Sequence, residues 1–351
     1  MAFYLLDENL AFASAPLERF SSLSWSVRWY EPGEFTLIGA SDLFKAWEGG
    51  ARWVYNEERQ ELGRIEGVRY ENSRCTLSGR LAESLLERRV VTSETALSGS
   101  VQSSAASLMA SYAANLPHYG GFAESAISET ADGIIRAGAN LGDELYSLLK
   151  PLKLSVRASF DGDADKGIRF ALAKGKDRTQ EQTVNSWAIF SQSFENIAGV
   201  RYERSEKSYR NVLILTASYS KDVTVTVRAD KRQTGEDARE AAASVSLDAG
   251  EMTQAAFTAA LQGKAEEMLA EYELEETIDG TVAGAANLQL ERDYSVGDFV
   301  DVSIAEIGLT QSAQVTGADI VYENGARAVY PQLGSDRLNL RRLIRRENER
   351  I

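Results

Sequence analysis

The stretch Tyr294-Ser-Val-Gly-Asp-Phe-Val-Asp-Val-Ser-Ile304 decides the fold of the C-terminal half of the chain. Its apolar residues Val300, Val302 and Ile304 alternate with polar residues, which is the period-2 pattern of a half-buried strand. Gly297 lies in the preceding turn, where the absence of a Cβ allows a positive φ. The stretch therefore predicts a tight turn followed by a strand with one buried face.

The run from Leu309 to Leu333 predicts two further strands joined by a hairpin. Val315 to Tyr322 is rich in β-branched and aromatic residues. Asn324-Gly325 follows it, and both residues tolerate the left-handed conformation that a type I′ turn requires. The chain then returns from Ala328 to Leu333. Together with the preceding strand, this run predicts an antiparallel meander with one apolar face.

Residues 1–95 show a similar organisation. Leu23 to Tyr30 alternates leucine, tryptophan and valine with polar residues, and Leu62 to Leu77 predicts two strands around a turn. About six strands are expected here, which is enough to curl into a small barrel. A short amphipathic helix from Arg80 to Arg89 is expected to follow, with Ser78 as its N-cap.

Residues 96–198 change in character, because alanine, serine and leucine dominate their first part. Val101 to Leu116 has apolar residues at helical spacing, and Pro117 ends the pattern. A second helix is predicted from Asp143 to Lys150. Tyr119-Gly-Gly-Phe122 lies between the two helices and is expected to be a loop.

Residues 199–334 combine strands with the longest predicted helix. That helix is expected over residues 249–273, where Asp248 and Glu251 have the spacing of a capping box. The polar run Lys231 to Ala243 before it is expected to be a mobile surface loop. The strands predicted upstream of this loop are Val200–Arg204, Val212–Tyr219 and Val223–Ala229.

These patterns predict an α+β fold that is mainly β, with two small antiparallel β-barrel-like modules flanking a helical and mixed centre. The expected segments are a first barrel module at 1–95, a central insertion at 96–198, a second barrel module at 199–334, and a basic C-terminal tail at 335–351.

Composition is that of an ordinary soluble protein. The chain has 351 residues, 44% of them hydrophobic and 26% charged, and a formal net charge of −14. The length predicts two or three domains. The negative charge argues against avid nucleic-acid binding. Met1 to Leu10 shows no secretory signal, and we expect no membrane span, because no run approaches the ~18 apolar residues that one requires.

An acidic tip is expected on the hairpin formed by Leu154 to Leu172. Asp161, Asp163 and Asp165 resemble the start of a calcium-binding loop, although Lys166 stands where that loop needs glycine. The twelfth position is leucine instead of a bidentate glutamate. The three aspartates are therefore a partial calcium candidate, and a solvated hairpin tip is the alternative.

Catalytic and cofactor motifs are not found in the sequence. His118 is the single histidine, which cannot build a multi-histidine zinc site, and no nucleophile elbow accompanies it. Cys75 is the single cysteine and is expected to be a small core residue. The chain contains neither a Walker glycine loop nor a dinucleotide-binding fingerprint. We therefore expect no enzyme activity and no cofactor.

The C-terminal tail is basic and mildly amphipathic. Its arginines Arg341, Arg342, Arg345 and Arg346 are interleaved with leucine and isoleucine. The sequence leaves three interpretations open: a solvated helix end, a docking peptide for an acidic partner or neighbouring subunit, and a nucleic-acid contact. The last is disfavoured by the acidity of the rest of the chain.

Several motifs together resemble the siphophage tail hub family described as ReqiPepy6 Gp-thirty-seven-like. The first two are Leu62-Gly-Arg-Ile-Glu-Gly-Val-Arg-Tyr70 and Cys75-Thr-Leu-Ser-Gly-Arg-Leu-Ala-Glu-Ser-Leu-Leu-Glu-Arg-Arg-Val-Val91. Tyr209-Arg-Asn-Val-Leu213, Tyr294-Ser-Val-Gly-Asp-Phe-Val300 and Val321-Tyr-Glu-Asn-Gly325 continue the resemblance. It covers most of residues 1–334, and its specificity lies in the order and spacing of the motifs.

The resemblance implies a structural tail or baseplate hub protein of a long-tailed phage or phage-like particle. It implies a homotrimer in which each subunit gives two related β-barrels, so that three chains form a pseudo-six-fold ring. That ring would join the tail tube to distal tail proteins at the tip of the virion tail. An acidic lumen would let DNA pass without holding it.

Two other functions are weighed against this one. A tail-associated peptidoglycan hydrolase or endopeptidase would need a lytic domain, and the 18 residues beyond Leu333 leave no room for one. A carbohydrate-binding host-attachment module would need exposed aromatic residues. The sequence does not separate these from core aromatics such as Trp25 and Trp29.

Overall fold

The computed structural model describes residues 2–131, 133–135, 137–250, 252–270, 272, 274–281, 288–323 and 325–334. Among these residues, no helix has both the length and the apolar character that crossing a membrane requires. The fold is mainly β, as predicted.

The N-terminal part is a run of antiparallel strands with one short helix, α1 (Ser41–Glu48). Its strands are β1 (Phe3–Leu6), β2 (Ser22–Arg28), β3 (Glu34–Ala40), β4 (Trp53–Asn56), β5 (Glu61–Glu71) and β6 (Arg74–Leu81). They pair in the order β1-β4-β5-β6-β3-β2. The period-2 pattern of β2 is confirmed, because Leu23, Trp25 and Val27 are fully buried.

The central part is mixed. Its strands are β7 (Thr95–Leu97), β8 (Tyr119–Ala123), β9 (Gly133–Ile135), β10 (Leu154–Ser159), β11 (Ile168–Lys174) and β12 (Ile189–Ser191). Its helices are α2 (Val101–Leu108), which continues as a π-helical turn to Ala113, and α3 (Leu141–Leu149). These helices and the sheet β10-β11-β8 share a core with residues of the first sheet, including Trp53 and Leu62.

The C-terminal part contributes the remaining strands of the main sheet. Its strands are β13 (Ala198–Ser205), β14 (Val212–Ser220), β15 (Val223–Asp230), β16 (Glu240–Ser244), β17 (Glu275–Thr281), β18 (Phe299–Ile304), β19 (Leu309–Glu323) and β20 (Ala326–Gly334). The helix α4 (Gln254–Ala270) packs on the sheet β15-β14-β16 and forms a core of its own with it.

Strand β19 joins the two ends of the chain in one sheet. It pairs with β2 over Gly317–Glu323, with β18 over Leu309–Gln314, and with β20 in a hairpin. The path continues from β20 through β17 to β13, while β18 also pairs with β12. The pairing among the described residues forms no closed barrel, so the barrel-like modules and the segment boundaries stay predictions.

The meander predicted from Tyr294 onward is confirmed. β18, β19 and β20 are consecutive antiparallel strands, and Gly297 has φ +103° in the turn before them. Gly325 has φ +75° at the hairpin, while its neighbour Asn324 lies outside the described residues. A Cβ on Gly297 would lie 2.4 Å from Cη2 of Trp29, so this glycine also allows the turn to pack on the core.

The predicted loop Tyr119–Phe122 is wrong. These residues lie in β8, which pairs in parallel with β11. Gly120 explains the difference, because a Cβ there would lie 2.1 Å from the carbonyl oxygen of Lys166. Gly120 allows this close backbone approach and Gly121 has φ +107°, whereas the same pair of glycines in a sequence indicates a loop.

The helix predicted over 80–89 with Ser78 as N-cap is also wrong in part. Ser78 lies inside β6, where it pairs with Thr36 and Gly67. The strand runs on to Leu81, and a 3₁₀ helix without a side-chain cap then covers Ala82–Arg88. Pairing on both sides of β6 therefore outweighs the helical spacing of the leucines.

The helix predicted over 249–273 begins later than expected, at Gln254. Thr253 caps it, because its side-chain oxygen accepts a hydrogen bond from the Ala256 N–H at 3.3 Å. Asp248 instead accepts from the Gly250 N–H at 3.0 Å, and Glu251 lies outside the described residues. Asp248 therefore forms a local turn with Gly250 and does not cap the helix.

The expected surface loop at Lys231–Ala243 contains a strand. Its last residues begin β16, which pairs in parallel with β14 from Val212 to Thr216. Alternate residues of β16 are exposed, as expected for a short edge strand. Its small, polar composition carries too little period-2 signal for the sequence to predict it.

A buried carboxylate, Glu61 on β5, joins three parts of the chain. It accepts hydrogen bonds from the indole N–H of Trp25 at 2.7 Å, from Arg59 at 2.8 and 2.9 Å, and from Arg157 of β10 at 3.1 Å. Arg59 also pairs with Glu291 at 2.6 Å, in the C-terminal part. The N-terminal sheet, the centre and the C-terminal part are therefore fastened at one charged cluster.

The same cluster perturbs two carboxyl groups in opposite directions. Burial disfavours the charged form of Glu61, but the cations of Arg59 and Arg157 outweigh it and lower its pKa. Burial raises the pKa of Glu83, whose nearest cation, the Nε of Arg157, is 3.5 Å away. Glu61 is therefore the ion-pair partner that Arg59 and Arg157 share.

We expect the substitution Glu61→Gln to lower the free energy of unfolding by about 3 kcal/mol, because it leaves two buried guanidinium groups without their shared anion. The native pKa of Glu61 is lowered, so its stabilisation is complete above the ordinary value of 4.5 and is lost as the pH falls below it. The difference between wild type and variant should therefore shrink on acidification. Urea unfolding at several pH values measures this.

Glu124→Gln is the matched control, because Glu124 is exposed and its change should alter stability by less than ~0.5 kcal/mol. A Glu61→Gln variant as stable as this control at pH 7 would contradict the role assigned to the buried cluster.

We expect Gly297→Ala to cost about 2–4 kcal/mol, because the new Cβ meets both a positive φ and the ring of Trp29. Gly308→Ala is the control, since Gly308 has φ +63° but open space around its Cα. It should cost only about 1–2 kcal/mol. Equal losses for the two variants in thermal unfolding would show that the contact with Trp29 does not matter.

Candidate assembly surface

The four most exposed large hydrophobic side chains of the described residues lie around one edge of the main sheet. They are Val184 (90% exposed), Ile307 (60%), Phe194 (55%) and Trp187 (54%). We call this set the apolar ridge. Val184 and Trp187 precede the edge strand β12, Phe194 follows it, and Ile307 follows its neighbour β18. Large exposed apolar patches mark interaction surfaces, so these residues are candidates for such a surface.

The register of β12 and β18 brings Phe194 and Ile307 to the same end of the strand pair. The strands are parallel, with Ser191 opposite Ser303. Each strand then enters a one-turn 3₁₀ helix, and these two turns end at Phe194 and Ile307. The two side chains therefore leave the sheet from neighbouring turns.

Two buried aspartates hold the segment Lys176–Ala188, which we call the ridge loop. Asp298 accepts from the Lys176 N–H at 2.7 Å, from Nε of Arg178 at 2.7 Å, and from the Ser295 N–H at 3.0 Å. Asp301 of β18 accepts from the Gln180 N–H at 2.8 Å and a hydroxyl of β19. Both carboxylates are almost fully buried. The base of the loop is therefore fixed to the meander.

Hydrogen bonds inside the ridge loop turn its apolar atoms outward. The side-chain oxygen of Gln182 accepts from the N–H groups of Val184 at 2.8 Å and Asn185 at 2.7 Å. The indole N–H of Trp187 donates to the carbonyl of Gln182 at 3.0 Å. The polar group of the indole is thus satisfied within the loop, and the remaining exposed surface of Trp187 is apolar.

Asn196 blocks the outer edge of β12. Its side-chain amide donates to the carbonyl of Ile189 at 2.8 Å, and its side-chain oxygen accepts from the Ser191 N–H at 2.8 Å. These are the backbone groups that an added strand would use. A partner at this edge would therefore contact side chains and would not add a strand to the sheet.

The predicted acidic tip lies between β10 and β11, which belong to a separate three-stranded sheet. The ammonium of Lys166 is 2.8 Å from Asp161 and 3.3 Å from Asp163, and its hydrogen bond lowers the pKa of Asp161. The side chains of Asp161 and Asp163 also accept backbone N–H groups within the tip, the second from Asp165. Over the described ranges, no group of three or more His, Cys, Asp or Glu residues is placed to hold a metal ion.

The other singled-out residues have structural surroundings. His118 has φ +59° and its carbonyl accepts from the Ile168 N–H at 2.7 Å, next to the start of β11. Cys75 is fully buried in β6, as expected, and burial raises the pKa of its thiol. The docking candidates Arg341, Arg342, Arg345 and Arg346 lie outside the described residues.

The ridge loop was not predicted from the sequence. Part of its signal was present, because Val184 is an isolated apolar residue in a polar run, whereas Trp187 begins the apolar run Trp-Ala-Ile-Phe190. The pattern alone does not show whether such residues point into a core or outward. Trp25 and Trp29 illustrate the problem, since both are buried, whereas Trp187 is half exposed.

The fold resembles solved structures of tail proteins over nearly the whole chain. A tail protein from Neisseria meningitidis matches with a TM-score of 0.59 and 15% identity, covering 95% of this chain and 96% of the other. The 43 kDa tail protein of prophage MuSo2 from Shewanella oneidensis matches with a TM-score of 0.59 and 12% identity, covering 95% and 98%. Prophage tail protein gp18 from Listeria monocytogenes has a TM-score of 0.56 and 10% identity, covering 99% of both. At these identities the likeness concerns the fold.

No curated protein matches the chain in sequence. The family model described as Siphovirus ReqiPepy6 Gp37-like protein matches residues 124–335, which include β10, β11, the ridge and the meander. That range is more than half of the chain, so the family predicted from the motifs is confirmed; it includes the last three motifs, whereas the two motifs at residues 62–91 lie outside it. The chain therefore belongs to the Siphovirus ReqiPepy6 Gp37-like family of phage tail proteins.

Proposed function

We propose that the protein is a structural hub of a phage tail or a related particle, forming a homotrimeric ring at the tip of the tail tube. The observation that carries this proposal is membership of the Gp37-like tail family. The full-length similarity to tail proteins of three other bacteria or their prophages supports it. In the virion, the ring would connect the tail tube to the distal tail proteins.

The sheet topology supports a ring built from two β modules per subunit. β2 of the N-terminal part pairs with β19 of the C-terminal part, and Trp25 lies opposite Ile320 in this pairing. The two β-rich parts of one chain therefore keep a fixed relation to each other. Three copies of such a unit would present six β modules around the axis, which suits a six-fold tube.

The role of the protein in this proposal is mechanical and not catalytic. The buried carboxylates Glu61 and Glu83 both pair with the partly buried Arg157, so their charges are used in contacts within the fold. Their perturbed pKa values have a structural cause. The net charge of −14 would suit a lumen through which DNA passes without being held.

The C-terminal arginines would add a second contact. Arg341, Arg342, Arg345 and Arg346 follow β20 closely and are interleaved with apolar residues. In this proposal they dock on an acidic neighbouring subunit or tail protein, because guanidinium groups bind carboxylates in bidentate geometry.

We expect light scattering of the purified chain to give a mass near three times the 38.5 kDa of one chain. Negative-stain microscopy of the same fractions should show rings. A dimer would contradict the proposal, since a two-fold assembly does not match a six-fold tube. A monomer over the whole concentration range would contradict self-assembly, and hydrolysis of purified cell wall would contradict the non-enzymatic role.

A further inference from the structure

We propose that the contact between the N-terminal sheet and the central part is proton-dependent, with Glu83 as the group that binds and releases the proton. This contact, which we call the joint, is where the 3₁₀ helix Ala82–Arg88 packs on β5, β6, β10 and α3. Release of the proton as the pH rises loosens the joint. The inference concerns the inside of one subunit and does not depend on the proposed ring.

Two buried carboxyl groups compete for one guanidinium group in the joint. One terminal nitrogen of Arg157 donates to Glu61 at 3.1 Å, and the other donates to the carbonyl of Arg28 at 2.8 Å. Glu83 lies 3.5 Å from Nε of the same guanidinium group, which is beyond the distance of an ordinary hydrogen bond. Arg157 is therefore committed to Glu61 first.

The surroundings of Glu83 favour its protonated form. Its side chain is 2% exposed, and one of its oxygens accepts a hydrogen bond from the Ala158 N–H of β10 at 3.1 Å. Leu85 and Leu86 of the same 3₁₀ helix belong to the apolar core of the central part. An ionised carboxyl group in this place loses its hydration and gains only a cation that is shared with Glu61.

The helix α3 brings no positive charge to Glu83. Its sequence, Leu141–Leu149, contains no lysine, arginine or histidine. It carries the buried side chains of Glu144 and Tyr146. Burial raises the pKa of Tyr146, whose hydroxyl donates to the carbonyl of Val156 at 3.4 Å. The neutral hydroxyl of Tyr146 does not compensate a charge on Glu83.

The arginines of the other elements near the joint are paired with other carboxylates. These ion pairs join Arg59 to Glu61, Arg64 to Glu8, Arg80 to Glu66 and Glu87, and Arg88 to Glu66. Glu83 is thus left to share Arg157 with Glu61. Its deprotonation adds a second anion to a guanidinium group that is already in use.

The two carboxyl groups therefore respond to pH in opposite ways. Burial raises the pKa of Glu83 above its ordinary value of 4.5, whereas the pKa of Glu61 is lowered, because its arginines outweigh its burial. The stabilisation from the proton on Glu83 is complete below pH 4.5 and is lost as the pH rises through the native pKa. Above that pKa, the ionised Glu83 weakens the packing of its helix on β10.

The test compares the wild type with Glu83→Gln, which keeps the shape of the protonated carboxyl group and cannot ionise. Both chains are unfolded in urea from about pH 5 to about pH 9. We expect the unfolding constant of the wild type, divided by that of the variant, to rise with pH and then level off. The rise should be about tenfold for each pKa unit by which the native value exceeds the ordinary one.

Glu124→Gln is the matched control, because Glu124 is exposed and its ratio to the wild type should not change with pH. A ratio for Glu83→Gln that is flat across this range overturns the proposal. A ratio that falls with rising pH also overturns it, because Glu83 would then stabilise the fold as an anion.

Hydrogen exchange reads the joint in the wild-type chain, without any variant. The Ala158 N–H donates to Glu83, so its protection from exchange reports the local opening of the joint. After division by the intrinsic exchange rate, this protection should fall at least tenfold from about pH 6 to about pH 9. The Gly297 N–H, which donates to the carbonyl of Val315 at 2.7 Å in the meander, is the internal control. Protection at Ala158 that does not change with pH, or that falls equally at Gly297, overturns the proton-dependent joint.

Discussion

The structure depends on a single strand, β19, whose 15 residues are paired along their length. Its first part pairs with β18 and its second part with β2, while β20 returns along it in a hairpin. β2 lies near residue 25 and β19 near residue 320, so this pairing closes a loop of almost the whole chain. The main sheet holds together because backbone hydrogen bonds join the two ends of the sequence and the core around Trp25 lies beneath them.

The charged cluster at Glu61 reinforces the same junction by a different interaction. Charges are costly to bury, and the buried Glu61 is compensated by Arg157 only when β10 of the central sheet packs against β5 of the main sheet. Arg59 extends the cluster to Glu291, near the start of the meander. The cluster therefore selects one arrangement of the three parts, in addition to any stability that it contributes.

The ridge loop is held in place by buried residues of the meander. The two aspartates that fix the ridge loop, Asp298 and Asp301, belong to the turn and strand of the meander. The same meander carries β19, so the ridge loop is fixed directly to the strands that organise the sheet.

Local signals in the sequence predicted much of this structure. The alternation in β2 and β18, the turn at Gly297 and the Asn-Gly hairpin before β20 are decided by residues a few positions apart, and each was found. The order of the motifs also identified the tail family. β8 and β16 were missed, because Gly120 and the small residues of β16 become strand residues only beside β11 and β14.

The exposure of individual side chains was decided by the tertiary structure alone. Trp25, Trp29 and Trp187 are the same residue type in short apolar patterns, yet two are buried and one is half exposed. Likewise, nothing near Glu61 in the sequence indicates that Arg157 will pair with it. Burial and long-range pairing depend on which distant segments pack together, and the period of a local pattern carries no information about that. The sequence by itself determined the strands, the turns and the family, whereas the packing decided the ridge and the charged junction.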